Sequence, residues 1–328
     1  MKTIFCFFLF YSLSLLSASP DESQAEALKE YSDSVDSAWQ TYSESQTSGW
    51  DQYKKTVEKN WRDVILPSEK IYVDYYNDFK SRVLIDFEKG RVRVEILGHQ
   101  KLSKKSIAAI IKTGLARNKD LLDGQLTFTE DFESLGSVVA KKGMLVLNMV
   151  PDHVKRRAKK YLPSVLRWSA KNSIPAALIL AVMWQESAFN PKARSHIPAF
   201  GLMQIVPKYA GEEVKSFLGE SLPVDGDFLY ESENNIRYGS TYLKLLSEKY
   251  FQNITPFEKR APFIIAAYNW GPTRLLKHLK KGTIKLSGPD EIKNQIIFVA
   301  PQETKSYIDR VLGNWKKIEN DQWLVAKN

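Results

Sequence analysis

The sequence predicts an α+β protein: a small N-terminal α+β region with an antiparallel hairpin, followed by a mainly α region. Two changes of pattern carry this. Between Lys70 and Ile96 apolar and polar residues alternate with the two-residue period of a half-buried strand. Beyond Pro151 the apolar residues recur at helical spacing instead, and Gly and Pro collect in the loops between those stretches.

The 328 residues are enough for about two domains at roughly 150 residues each. Lys2, an apolar run from Ile4 to Leu16 and the small residues before Pro20 have the layout of a secretory signal, and the run is shorter than the roughly 18 to 20 residues of a membrane span. We therefore expect a signal over 1–19, an N-terminal domain over 20–150 and a second domain over 151–328. Cys6 is the only cysteine and would leave with the signal, so the exported protein has no thiol.

Residues 22–65 place Leu28, Tyr31, Val35, Trp39 and Tyr42, then Trp50, Tyr53, Val57 and Trp61, at helical spacing with a break at Thr47-Ser48-Gly49. Two amphipathic helices are expected. A strand over 70–76 then joins a hairpin in which Lys89-Gly90 forms a two-residue loop, pairing Phe87 with Val92, Ile85 with Val94 and Val83 with Ile96. The opposite face would set Glu88 against Arg91 and Asp86 against Arg93. Residues 103–115 read as a helix with Ile107, Ile110, Ile111 and Leu115 inward, 116–143 as irregular, and 144–150 as a short strand. The second domain reads as helices over 153–172, 175–186, 233–250, 257–269, 271–281 and 303–319.

Composition excludes disorder, with 43% hydrophobic and 26% charged residues. A net charge of +9 raises nucleic acid as a partner. The basic residues are scattered, however, and the densest group, Lys155 to Lys160, reads as a solvated helix face. An exported basic protein is expected to meet an anionic envelope polymer or a membrane surface. His99 stands apart from other ligand types, so no metal and no cofactor are expected.

The helix that starts after Pro175 is apolar from Ala176 to Trp184, without a polar face, and so is expected at the centre of the fold. Glu186 stands at its C-terminal end, where burial and the helix dipole both disfavour a negative charge. A carboxylic acid kept protonated there could donate a proton; a side chain turned out to solvent from a frayed end is the bland alternative. No acidic residue follows until Glu212.

Four further motifs follow in order: Phe189-Asn190-Pro191, Gly201-Leu202-Met203-Gln204, Asn235 to Gly239 with Tyr242-Leu243, and Ala266-Ala267-Tyr268-Asn269-Trp270-Gly271. The set resembles the soluble lytic transglycosylase family, bacterial enzymes with a lysozyme-like helical domain that cleave peptidoglycan. The resemblance covers roughly residues 160–315. Tyr72 to Phe79, Ser81-Arg82 and the hairpin resemble the N-terminal domain of a membrane-bound member, as does the link Leu147 to Pro151.

The resemblance implies that Glu186 is the catalytic acid and that Gln204 hydrogen-bonds the substrate. It places Ser195 where the family contacts sugar, although a plain turn residue would fit equally. Tyr268 and Asn269 match the residues lining the cleft, with a core tyrosine as the alternative for Tyr268. Tyr307 matches a late tyrosine beside the catalytic carboxylate. Cys6 departs from the pattern of a lipid-modified N-terminus, being followed by more apolar residues, so a lipid anchor is not expected.

Most glycosidases use two carboxylates. The resemblance and the lone Glu186 imply one residue acting as acid then base, with the C6 hydroxyl of N-acetylmuramic acid closing on C1 to give a 1,6-anhydro end. The competing expectations are a goose-type lysozyme-like hydrolase, in which Glu212, Glu213 or Asp225 holds a water, and a non-catalytic wall-binding protein of the envelope. Peptidoglycan is the expected partner, with an envelope protein as a further one through the N-terminal domain. The expected location is the periplasm of a Gram-negative bacterium, associated with the outer membrane.

Overall fold

The computed structural model describes residues 51–122, 139–196 and 198–324. The predicted signal and the first of the two N-terminal helices lie outside these residues; 51–58 are helical.

Four strands form one antiparallel sheet in sequence order: β1 (Ile71–Tyr76), β2 (Ser81–Asp86), β3 (Arg91–Ile96) and β4 (Met144–Asn148). Val83, Ile85, Val92, Val94 and Leu145 share one face and pack on Ile107, Ile111 and Leu115 of helix α1 (Lys104–Arg117). Helix α1 is capped by Ser103, whose hydroxyl accepts the Ser106 N–H at 3.1 Å; Ile110, expected inward, is only half-buried. On the other face Val73, Tyr75 and Leu84 meet Val57 and Trp61. Arg82, 1% exposed, sits in that second core, with its guanidinium 4.0 Å from the Trp61 ring centroid. Glu95 accepts from it at 2.7 Å and Asp63 at 2.9 Å, which makes burial of the charge tolerable.

The hairpin is present, but its register differs from the expected one by two residues. Ile85 pairs with Val92, Val83 with Val94 and Ser81 with Ile96, leaving Phe87 to Gly90 as a four-residue loop. Two bonds draw Phe87 out of the ladder: its N–H donates to Lys70 O at 2.9 Å, and Asp86 Oδ1 accepts the Lys89 N–H at 2.8 Å. Gly90 closes the loop at φ +63, in the left-handed region, and a Cβ there would lie 2.5 Å from His153 Nε2. The shift is even, so every apolar side chain keeps its face. The charge pairs change with it: Asp86 opposes Arg91, and Glu88 instead meets Lys70.

Between α1 and β4 comes a short helix α2 (Lys119–Leu122), and after β4 the chain is helical. Helices α3 (His153–Asn172), α4 (Ala176–Ser187), α7 (Ser232–Leu245), α8 (Phe257–Trp270), α9 (Pro272–Lys280) and α11 (Gln302–Asn320) fall where the periodicity places them. Three helices lie in stretches read as loops: α5 (Glu212–Leu218), α6 (Gly226–Tyr230) and α10 (Pro289–Val299). Helix α4 is the axis of this half, with Ala177 to Met183 each no more than 3% exposed. Five of those residues, Leu178, Ile179, Leu180, Val182 and Met183, are large, and burying each contributes roughly 2 kcal/mol.

The core between the sheet and α1 and the core around α4 meet at Trp184, which packs against both. Its ring stacks on Trp323 with centroids 5.0 Å apart and 23° between planes. Arg157, 4% exposed, sits at the same seam. It donates to Phe87 O in the hairpin loop and, at 3.1 Å, to Ala188 O just past α4, while His153 Nδ1 lies 3.0 Å from it. Burial pulls the Arg157 guanidinium down to about 10, and burial with the Arg157 charge pulls His153 down to about 4.

Candidate active site

The last turn of α4 brings Glu186 from the core to the edge of a cavity of about 540 Å³. Two features fix that turn. Ala188 and Phe189 take φ of 49° and 63°, ending the helix sharply. The buried Ser187 hydroxyl is shared between Met183 O at 3.0 Å and Leu202 O at 2.8 Å, and accepts the Phe189 N–H at 3.1 Å. Glu186 therefore opens toward the cavity while being enclosed by protein on its other sides.

Burial pushes the Glu186 carboxyl up to about 8. The Tyr307 hydroxyl, which donates to Glu186 Oε1 at 2.7 Å, pulls in the opposite direction. Glu69 and Glu303 push it further up and Lys70 pulls it down. Near neutral pH the group is mostly protonated and can give up a proton.

The isolation of Glu186 along the sequence is not kept in space. Glu69, from the segment leading into β1, and Glu303, on α11, both line its cavity. The carboxylates expected to compete lie elsewhere. Glu213 accepts from Lys249 at 2.8 Å and from Tyr250 at 2.7 Å, Asp225 caps α6 through the Phe228 N–H at 2.8 Å, and Glu212 pairs with Lys215 at 3.5 Å.

Of the residues singled out in the sequence, Glu186, Asn269 and Tyr307 line the cavity together. Asn269 Oδ1 accepts from Thr304 at 2.7 Å, which orients its amide. Tyr268 is close enough to Glu186 for the two groups to perturb each other, and burial raises its phenol well above the ordinary value. Its hydroxyl is engaged, donating to Met203 O at 2.8 Å. Ser195 and Gln204 are not among the residues lining this cavity. Ser195 Oγ accepts the Ala199 N–H at 3.0 Å within a turn. Gln204 is buried at φ 48°, donates through Nε2 to Gly201 O at 3.0 Å, and keeps Oε1 without a hydrogen-bond partner among the described residues.

The remaining motif positions hold this arrangement in place. Asn235 is fully buried; its Oδ1 accepts the Met203 N–H at 2.7 Å and its Nδ2 donates to Phe200 O at 2.7 Å and Leu229 O at 2.8 Å. Gly201 must be glycine, since φ is +74 and a Cβ would lie 2.3 Å from Asn235 Nδ2. At Gly239 a Cβ would lie 2.3 Å from Met203 Sδ.

Sequence reasoning missed the other wall. Lys70, Glu88 and Lys89 reach the same cavity from the sheet, and Glu303 and Arg310 reach it from α11. Helical spacing could have found the second pair, because Glu303, Ser306, Tyr307 and Arg310 share one face of α11. No local pattern could have found the three from the sheet.

Comparison with known proteins gives two family matches: the transglycosylase SLT domain over residues 163–286, and the N-terminal domain of membrane-bound lytic murein transglycosylase C over residues 41–135. A membrane-bound lytic murein transglycosylase C from Haemophilus ducreyi is 33% identical over 253 residues, covering 66% of this chain and 68% of that protein. Its counterpart from Salmonella paratyphi B is 29% identical over 254 residues, covering 66% and 71%. Among solved structures, an inactive mutant of the lytic transglycosylase Slt from Pseudomonas aeruginosa is 29% identical, with a TM-score of 0.41 over 50% of this chain and 25% of that one. The soluble lytic transglycosylase from Escherichia coli is 24% identical, with a TM-score of 0.43 over 68% of this chain and 32% of that one. The chain thus spans a quarter to a third of those two solved chains.

Proposed function

The chain belongs to the lytic murein transglycosylase family, and on that premise we propose that it cleaves the β-1,4 bond between N-acetylmuramic acid and N-acetylglucosamine in peptidoglycan without consuming water. Glu186 is the acid and then the base. Its protonated carboxyl gives the proton to the glycosidic oxygen as the bond to C1 breaks, and the N-acetylglucosamine hydroxyl departs. The 2-acetamido group stabilises the positive charge at C1. The Glu186 carboxylate, held by Tyr307, then takes the proton of the C6 hydroxyl as O6 bonds to C1. The products are a free 4-hydroxyl and a 1,6-anhydro end, and Glu186 finishes protonated as it began.

The observation that supports this reading is a single carboxyl raised to about 8, oriented by one tyrosine and facing a cavity. Asn269 and Tyr307, which line the cavity beside that carboxyl, contact the sugar in this reading. In this reading Gln204 and Ser195 shape the neighbouring loops, and residues 20–150 and 151–328 are two domains that share one site. The relatives are named as membrane-bound enzymes of murein, and in keeping with that we assign this activity to the bacterial envelope, in the periplasm and in association with the outer membrane.

A second reading has a specific observation behind it. Glu69 and Glu303 line the same cavity, and either could hold a water against C1, which would make the reaction hydrolysis. Mass spectrometry of fragments released from purified sacculi separates the two. Anhydro ends lighter by one water than the hydrolytic fragments are expected; fragments with reducing ends alone would transfer the assignment to hydrolysis.

A further inference from the structure

The sheet is docked beside the cavity by a bond between the two halves: Asn190, in the loop after α4, donates its Nδ2 to Glu69 O at 3.2 Å. On the helical side one element sets two polar side chains of the site. Thr304 and Tyr307 stand three residues apart on α11, so they share a face, and both are buried. Each donates its hydroxyl to the penultimate residue of another helix: Tyr307 to Glu186 on α4 at 2.7 Å, and Thr304 to Asn269 on α8 at 2.7 Å.

The second bond fixes a polarity. An amide carries its acceptor and its donors on opposite sides of one carbon, and turning it end for end exchanges them. Thr304 engages the acceptor end, the only hydrogen-bond partner its hydroxyl has among the described residues. Turning the amide over would deprive that buried hydroxyl proton of its acceptor. Asn269 Nδ2 is thereby sent the other way. It has no hydrogen-bond partner among the described residues and stays accessible. Asn269 lines the cavity, and Thr304 does not.

We propose that Thr304 is a positioning residue, which holds the Asn269 amide with its N–H groups toward the cavity so that Asn269 meets the glycan strand as a donor to an acceptor oxygen of the sugar. The proposal rests on the reading above that the cavity receives a glycan strand, and it gives that contact a direction. Helix α11 then aligns the acid and the donor together, through two hydroxyls one turn apart.

The test is equilibrium binding, which does not depend on turnover. The full chain carrying Glu186→Gln is titrated with purified glycan strands. Thr304→Val keeps the shape and deletes the hydroxyl, so the amide is free to turn, and binding should weaken about fivefold, within the worth of one neutral hydrogen bond. Thr304→Ser keeps the donor and should stay within about twofold of the parent. With Asn269→Ala already present, Thr304→Val should cost nothing further, because the group it orients is gone. A threonine that merely packs would cost the same in both backgrounds. Circular dichroism checks that each variant is folded. Undiminished binding in Thr304→Val, an equal loss in Thr304→Ser, or a loss that persists with Asn269→Ala would overturn the proposal. A parent that binds no strand would remove the glycan reading of the cavity and this proposal with it. Hydrolytic fragments in the product analysis would change the chemistry alone and leave the contact standing.

Discussion

The Tyr307 hydroxyl donates to Glu186 Oε1 across 2.7 Å, joining α11 to the end of the apolar helix α4. This bond stabilises the ionised form of the acid and fixes its rotamer. Tyr307→Phe removes both effects. The Glu186 pKa should rise by about one unit, the worth of a hydrogen bond to a charged group. The alkaline limb of the rate profile should therefore move to higher pH while the maximal rate falls. An unmoved limb would take Tyr307 out of the control of this proton.

Glu186→Gln keeps the shape and removes the proton. Turnover should fall by about 10² to 10⁴, the usual worth of a positioned acid and base. Stability should move the other way. Burial raises the folded-state carboxyl to about 8 from an ordinary value near 4.5. Between these pH values the unfolded chain has lost the proton that the folded protein still holds, so wild-type stability falls as pH rises through the window. The glutamine variant escapes this loss. Its advantage in urea unfolding should be near zero at pH 4 and grow to roughly 3 kcal/mol by pH 8. Water in the cavity screens part of the full value.

Glu69 and Glu303 raise the Glu186 pKa, and Lys70 lowers it. Glu69→Gln and Glu303→Gln should each bring the alkaline limb to lower pH, whereas Lys70→Met should send it higher. The direction of the three shifts, measured under one ionic strength, tests the electrostatic frame of the site. A collapse of rate for Glu69→Gln or Glu303→Gln without a moved limb would instead mark that carboxylate as the holder of a water.

Arg157 is buried at the seam between the sheet–α1 core and the core around α4 and donates to Phe87 O and Ala188 O. Arg157→Met keeps much of the volume but leaves two buried carbonyls unsatisfied, at roughly 1 to 3 kcal/mol each. A loss of about 3 kcal/mol in denaturant unfolding is expected, with only part recovered by Arg157→Lys, whose single ammonium cannot reproduce the fork. A loss well under 1 kcal/mol would mean that water replaces the guanidinium at the seam.

The long helices were legible because each has a sustained apolar stripe. Helix α3 runs from His153 to Asn172 as the periodicity requires. Helix α10 falls in a stretch without a sustained apolar stripe, although Pro289 opens it and Asp290 and Glu291 occupy its first turn, a recognisable start signal. Helices α5 and α6 are seven and five residues long, too short for a period to declare itself. In the site, Glu186, Asn269 and Tyr307 were legible from motif resemblance. Lys70 and Lys89 were not, because what brings them to the cavity is the docking of a sheet held by Asn190 and Arg157, a contact between residues far apart in the chain. The hairpin register departs from the two-residue-loop expectation for a similar reason: the Phe87 N–H is claimed by Lys70 on the neighbouring segment.

The Trp184–Trp323 stack gives the molecule an optical label of its own. Two indoles with centroids 5.0 Å apart are close enough for their transitions to couple, and one belongs to the turn that carries Glu186. Near-ultraviolet dichroism and tryptophan emission should therefore report any ligand that shifts that turn, in unlabelled protein and without cleavage. Because Trp184 also touches the sheet core, the same signal registers movement of the wall opposite the acid.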